Sequence, residues 1–199
     1  MSYTVETKEL AHGIVAEVQY DDWGGNNPRE WDNLGTVVLG DRVRYNFGDK
    51  ALPVAAIHDI CRDASNIWLP VYMYDHSGIT INTTGFSCPW DSGQVGIIYM
   101  PRAVAVANWG KKICTKAVAD KARACLRAEV ETLDQYLRGE VLAYTVRRGD
   151  EVLDSCGGFF CTVDEVMAEA EAAAQYRVEE AERELAEVQY WKERGEVTA

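Results

Sequence analysis

Two long stretches of the chain repeat their apolar residues at the period of an α-helix. Between residues 115 and 138 the apolar positions are spaced by 4, 4, 4, 3 and 4, and Gly139 follows where a C-cap is expected. Thr162 and Glu165 form a capping-box pattern that opens a second helix over 163–194, whose apolar stripe is mostly alanine. The pattern predicts two long helices. The thin second stripe predicts a separable helix that lies on a groove or on a second chain.

Shorter apolar segments indicate β-strands. Three of them are expected to share a sheet, namely residues 67–74, 78–84 and 94–100. Pro70 suggests a bulge or an edge position in the first strand. Asp75 and Gly78 predict a hairpin turn, with Gly78 supplying a positive φ angle.

Further strands are expected near both ends of the chain. The predicted segments are 14–20, 35–40, and a hairpin of 140–148 with 151–160, together with a short helix at 52–64. The pattern therefore predicts an α+β fold, mainly an antiparallel sheet with two long helices. Residues 1–162 are predicted to form a single α+β domain, and residues 163–199 a long acidic C-terminal helix.

Charge narrows the classes of partner. The 199 residues carry a net charge of −12, and residues 163–199 hold 11 acidic residues against 4 basic ones. Such a balance argues against direct binding to nucleic acid or to anionic membranes, and it favours a partner protein with a basic surface. There is no apolar run of about 18 residues and no secretory signal, so we expect a cytoplasmic protein.

No cofactor or metal motif is present. The six cysteines lack the close Cys-x2-Cys pairs of a zinc site, and we expect reduced, mostly buried thiols. Acidic residues of the turns could instead converge on Ca²⁺ or Mg²⁺, but none of their segments has the EF-hand spacing. These residues are Asp21, Asp22, Glu30, Asp32, Asp75 and Asp91. A solvated loop is the simpler interpretation.

Residues 72–96 hold the densest collection of polar side chains suited to chemistry. They include Asp75, His76, Ser77, Cys88, Trp90, Asp91, Ser92 and Gln94. The adjacent residues Asp75, His76 and Ser77 are of triad types, but neighbours along a chain point in different directions and cannot form a working triad.

Catalysis would need the two turns to meet. A thiolate at Cys88 requires a nearby base, and His76 is the histidine of that region. The candidate catalytic residues of an enzyme are therefore Asp75, His76, Cys88 and Asp91. The alternative is structural. Asp75 would bind backbone amides in an Asx-type turn, and Cys88 and Trp90 would fill the core beneath a turn in which Asp91 and Ser92 bind backbone amides.

Aromatic residues are frequent in the N-terminal half, where Trp23, Trp31, Trp68 and Trp90 occur. Aromatic anchors rimmed by acids are typical of protein interfaces, and they are equally typical of a core. If the protein acts by binding, the candidate residues are Trp31, Asp32, Trp90, Asp91, Gln94, Glu179, Glu180 and Glu184.

Several long blocks resemble a family of small bacteriophage and mobile-element proteins of uncharacterised function. The blocks are NPREWDNLGT (27–36), RYNFGD (44–49), LPVYMYDHSGIT (69–80), FSCPWDSGQVG (86–96), LDQYLRGEV (133–141) and DSCGGF (154–159). The resemblance covers about residues 27–160. It implies an accessory protein and brings no activity, substrate or catalytic residue.

The sequence leaves two hypotheses for function. The first is a phage-type accessory protein that inhibits a host defence protein, as an anti-CRISPR or antirestriction protein does, by occupying a basic surface with acidic residues. It includes a possible homodimer through the C-terminal helix. The second is a small hydrolase or transferase that uses Asp75, His76, Asp91 and possibly Cys88.

Overall fold

The chain folds into two compact units, which are described separately. The structure is a computed structural model that describes residues 3–22 and 24–194, so Trp23 and the last five residues of the predicted C-terminal segment lie outside the described residues. The first unit comprises Met1–Gly25 and Gly139–Ala199, and the second comprises Asn26–Arg138. This grouping differs from the predicted division after residue 162.

The first unit is a four-stranded antiparallel sheet with one long helix. Its elements are β1 (Thr4–Glu9), β2 (Ile14–Tyr20), β8 (Leu142–Arg148), β9 (Glu151–Phe159) and α4 (Val163–Glu193), and the strand order is β1-β2-β8-β9. Alternate apolar side chains are buried, namely Ile14, Ala16 and Val18 on β2 and Leu142 and Val146 on β8. Their alternation along each strand directs them to a single face of the sheet, which α4 covers.

The alanine stripe of α4 belongs to this core. Val166, Met167, Ala170, Ala174 and Val178 are all buried in one cluster with β2 and β8. The expectation that this stripe docks too weakly to hold the helix on a core is therefore wrong for the first half of α4. Small side chains let a helix approach a sheet closely, so that many van der Waals contacts stabilise the packing even though each side chain buries little area.

The cap of α4 is the one that the sequence predicts. The Thr162 side chain accepts a hydrogen bond from the Glu165 amide at 3.3 Å, and the Glu165 carboxylate accepts one from the Thr162 amide at 2.9 Å. The Thr162 amide and hydroxyl together hold the pKa of Glu165 below its ordinary value.

The second unit is a five-stranded sheet with helices on both faces. Its elements are β3 (Thr36–Gly40), β4 (Lys50–Leu52), α1 (Val54–Arg62), β5 (Asn66–Asp75), β6 (Ile79–Asn82), β7 (Ser92–Pro101), α2 (Arg102–Asn108) and α3 (Lys116–Leu137). The strand order is β4-β3-β7-β5-β6, and the pairs are antiparallel except β3 with β4. Helix α3 packs on one face and α1 on the other.

The predicted α+β class, with mostly antiparallel sheets and two long helices of 22 and 31 residues, is confirmed. The strand register shifts between Val71 and Tyr72, next to Pro70, and β6 pairs only from Tyr72 onward. The proline therefore sits beside a bulge and beyond the reach of the edge strand, as its missing N–H requires. Among the described helices, none is both long and apolar enough to cross a membrane.

A buried arginine holds the second unit together. The Arg29 side chain is only 6% exposed and donates to both carboxylate oxygens of Asp49, at 3.1 and 2.6 Å. It also donates to Glu129 on α3 at 3.0 Å and to the Gly35 carbonyl at 2.7 Å. Burial acts to lower the pKa of Arg29, but the hydrogen bonds and charges of Asp49 and Glu129 outweigh it and raise that pKa.

The two carboxylates also bind backbone amides at the start of β3. Glu129 accepts from the amides of Leu34 and Gly35 at 3.0 Å, and Asp49 accepts from that of Val37 at 2.7 Å. A Cβ atom at Gly35 would lie 2.9 Å from a Glu129 oxygen, so the glycine is required by this close approach.

Replacing Arg29 tests this cluster. We expect Arg29→Met to lower the free energy of unfolding by about 3 kcal/mol, because it removes the cation from the mostly buried carboxylate of Glu129 and the partly buried one of Asp49. Equilibrium chemical denaturation measures the loss. The matched control is Arg62→Met, which removes an arginine paired with Asp59 at 3.9 Å on the surface of α1. We expect the control to change stability by less than about 0.5 kcal/mol, and equal losses in both variants would contradict the argument.

Two truncations test the role of α4. Removing residues 165–199 uncovers Ile14, Val18 and Val146, and we expect amide protons of β2 and β8 to lose their protection in hydrogen exchange. Removing residues 184–199 leaves the buried stripe in place, and we expect protection in those strands to be unchanged. Retained protection in the longer truncation would show that α4 is dispensable for the sheet.

Candidate functional site

Two turns at one end of the second sheet meet through their backbones. We refer to residues 74–78 and 86–94 together as the double turn. The Asp75 amide donates to the Asp91 carbonyl at 2.9 Å, and the Ser92 hydroxyl donates to the carbonyl of Cys88. Gly78 has the predicted positive φ of 158°, and Ser77 is left-handed with a φ of 59°. The antiparallel register of β5 with β6 and β7 brings these segments together.

The carboxylate of Asp91 is the meeting point of the candidate catalytic residues. Its Oδ2 atom lies 3.6 Å from Nδ1 of His76 and 3.7 Å from Sγ of Cys88. The structure therefore brings three of the four candidates to one place, which the enzyme hypothesis requires.

Asp75, the fourth candidate, faces elsewhere. Its Oδ2 accepts a hydrogen bond from the Tyr45 hydroxyl at 2.7 Å and from Arg44 at 3.2 Å. The hydrogen bond that Arg44 donates to the Tyr45 oxygen, together with the charge of Asp75, raises the pKa of Arg44. Asp75 thus anchors the start of its turn to the 44–45 segment and does not orient His76.

The arrangement around Asp91 is open to solvent. The side chains of His76 and Asp91 are 66% and 43% exposed. Both His76 and Cys88 lie beside the Asp91 carboxylate, and no hydrogen bond joins the two among the described residues. A base must reach the nucleophile that it activates, and efficient sites exclude water. The geometry suits a hydrogen-bonded turn better than an activated thiol.

Aromatic rings cover one side of the double turn. Tyr74 stacks on His76 with 5.9 Å between ring centroids and tilts against Phe86 at 5.7 Å. Trp90 in the second turn is 91% exposed, so the alternative in which it fills the core is wrong. A tryptophan with so much apolar surface in water is unusual, because burying it would be favourable by several kcal/mol at about 25 cal/mol per Å².

Gln94 lies where the double turn joins β7. Its side chain donates to the Gly96 carbonyl at 3.2 Å. It also lines a cavity of about 490 Å³ whose walls include Trp68, His58 and Cys61. Burial raises the pKa of the Cys61 thiol, which therefore stays protonated at neutral pH.

The other predicted binding residues lie on separate elements. Trp31, 46% exposed, and Asp32 follow a short 3₁₀ turn at Pro28–Glu30 in the second unit. Glu179, Glu180 and Glu184 lie on α4 in the first unit. Glu180 is held by Arg177 at 3.0 Å, whereas the Glu184 side chain lines an open cavity with Val188 and Trp191.

The acidic residues of the turns do not converge on a cation. Asp21 accepts a hydrogen bond from the Gly158 amide at 2.8 Å in the first unit, whereas Asp75 is held by Tyr45 in the second. In the described part of the chain, no group of three or more histidine, cysteine or acidic side chains is placed to hold a metal ion.

The sequence reasoning missed a local reversal of charge. Residues 102–128 hold 7 of the chain's 20 lysines and arginines and 1 of its 32 acidic residues. A count of charge in short windows, instead of over the whole chain, could have found it. It also missed the Arg29 cluster. The signal was that two long motifs, NPREWDNLGT and RYNFGD, contain the charged residues Arg29 and Asp49.

No family model, curated protein or solved structure matches this chain. The resemblance to phage and mobile-element proteins therefore stays a prediction.

Proposed function

We propose that this protein acts by binding another protein through the double turn, with Trp90 as the central contact. The observation that carries the proposal is the 91% exposure of this tryptophan on a turn that hydrogen bonds hold in place. Exposed tryptophans on rigid turns are suited to interfaces because they bury a large area and lose little conformational freedom.

The charges around Trp90 favour a basic partner. Asp91 is 43% exposed beside it, and the chain as a whole has a net charge of −12. A cationic side chain of the partner could pair with Asp91 and lie over the indole ring in the same contact. The resemblance to phage accessory proteins supports a host defence protein as the target, so the proposed role is that of an anti-CRISPR or antirestriction inhibitor.

A substitution of Trp90 tests this proposal. Tagged protein captures its partner from host lysate at low salt, and isothermal titration calorimetry of the purified pair gives the affinity. We expect Trp90→Ala to weaken binding by about 2 kcal/mol or more, roughly 30-fold, because it removes a central anchor. We expect Asp91→Asn to reduce the dependence of affinity on salt, since exposed charges are screened within about 10 Å at 0.1 M.

The matched control is Tyr3→Ala. Tyr3 is 74% exposed and lies on the first unit, so it is an exposed ring outside the double turn. If both substitutions weaken binding equally, or if no purified partner binds the wild type, the double turn is not the binding surface.

The contacts of Asp91 keep the enzyme hypothesis as a second candidate. A hydrolase or transferase would use Cys88 as nucleophile, with His76 and Asp91 acting on it. Because His76 pairs with Asp91 and makes no hydrogen bond to the thiol, we expect His76→Gln to leave the iodoacetamide alkylation rate of Cys88 within about a factor of two. Exposed Cys156 is the reference thiol of the same chain. A tenfold or greater slowing confined to Cys88 would favour the enzyme.

The possible homodimer concerns the end of α4. Beyond the buried stripe, one side of the helix carries Leu185, Val188 and Trp191 at spacings of three residues, and they are 57%, 47% and 37% exposed. This apolar surface on a helix is proposed as a contact with a second copy of the chain. The truncation of residues 184–199 is the variant that tests it, by sedimentation velocity beside the full chain. If the full chain and the truncated chain sediment with the same number of subunits, this part of the proposal is wrong.

A further inference from the structure

A basic surface runs from the loop before α3 along one side of that helix. Lys111 and Lys112 lie in the loop, and Lys116, Arg123 and Arg127 follow on α3 at spacings of seven and four residues. Residues so spaced lie on one side of a helix, and at 1.5 Å per residue they extend over about 16 Å. We call these five residues the basic surface.

The loop that presents the lysines is fixed. The Lys111 amide donates to the Val106 carbonyl at 2.9 Å, and Trp109 and Cys114 pack against the hydrophobic core of the second unit. Arg102 at the start of α2 donates to Cys114 Sγ at 3.4 Å. The position of the charges is therefore set by the fold.

Most of these charges have no ion-pair partner in the part of the chain that the structure describes. Among the described residues, Lys111, Lys112, Lys116 and Arg127 make no hydrogen bond or ion pair through their side chains, and the three lysines and Arg127 are exposed. Asp120 is the single acid of residues 102–128, and Arg123 neutralises it at 3.2 Å. Four cations are thus left facing solvent.

We infer that the basic surface binds the phosphate backbone of a nucleic acid. Lysine is depleted in protein–protein interfaces, which rely on aromatic and arginine anchors, whereas phosphate backbones are bound by dispersed lysines and arginines. Ile113, 69% exposed, is the large apolar side chain beside the lysines, and no exposed aromatic residue accompanies it in residues 102–128. The chemistry present neutralises phosphates and does not read bases.

The net charge of −12 does not prevent such binding. At physiological salt, charges act over about 8 Å, so a phosphate at the basic surface interacts mainly with the cations that surround it. The prediction against nucleic-acid binding rested on the negative charge of the whole chain, whereas the basic surface is locally positive. The inference is independent of the proposed function of the double turn.

Binding to labelled nucleic acid tests the inference. The probes are a fluorescein-labelled DNA duplex of about 20 base pairs and a single-stranded RNA of about 20 nucleotides, each followed by fluorescence anisotropy. With four phosphates neutralised, the slope of log K against log salt is expected to be about −3.6 for the duplex and about −2.8 for the single strand. Affinity for the duplex should fall on the order of a hundredfold between about 50 and 200 mM salt.

A pair of charge-matched variants locates the site. The test variant replaces Lys111, Lys112 and Lys116 by glutamine, and the control replaces Arg42, Lys50 and Arg62, which are exposed cations of the same unit outside the basic surface. Each variant takes the net charge from −12 to −15. We expect the test variant to bind at least tenfold more weakly, with a slope reduced by about 2 to 3, and the control to bind like the wild type.

Three results would overturn the inference. The first is no binding of either probe at about 50 mM salt, and the second is equal weakening in the two variants. The third is association of the chain with itself that the test variant abolishes while neither probe binds. That result would assign the basic surface to the acidic helix of a second copy. Thermal melts of both variants confirm that each is folded.

Discussion

A buried arginine places the strictest constraint on the second unit. Arg29 is almost completely removed from water, and an unpaired charge there would cost far more than the fold could tolerate. Its five donors therefore need partners from three separate places in the chain, namely Asp49 after the 44–48 loop, Glu129 on α3, and the backbone at Gly35. Because the same carboxylates also bind the amides that open β3, the loop, the strand and the helix are positioned together.

This cluster changes the interpretation of the specific sequence blocks. NPREWDNLGT contains Arg29 and Gly35, and RYNFGD ends in Asp49, so both blocks are explained by structure without a catalytic role.

The double turn at the surface is also held by hydrogen bonds between separate segments of the chain. Asp75 is tied to Tyr45, and the backbone of Asp91 to that of Asp75, with the result that Trp90 is displayed at a fixed point. Rigid presentation of an exposed ring is useful for recognition, since little entropy is lost on binding.

Charge in this protein is segregated and cannot be understood from its total. The acids of α4 belong to the first unit, and the cations near the start of α3 belong to the second. At the salt concentration of a cell a charge acts over about 8 Å, so each group of charges affects mainly its own surroundings. The proposals of protein binding at the double turn and of nucleic-acid binding at the basic surface therefore depend on local charge and not on the total.

The sequence by itself determined the elements. The period of apolar residues predicted α3, α4 and most strands, because helix and strand geometry repeat over a few residues. It missed β1, whose six residues are all exposed, and the three-residue β4, since neither buries a repeating apolar face. Only the tertiary structure decided which side chains meet. Three features depend on strand register and on packing between distant segments, which no local pattern encodes. They are the contacts of Asp91 with His76 and Cys88, the hydrogen bond from Arg29 to Glu129 100 residues away, and the burial of the alanine stripe of α4.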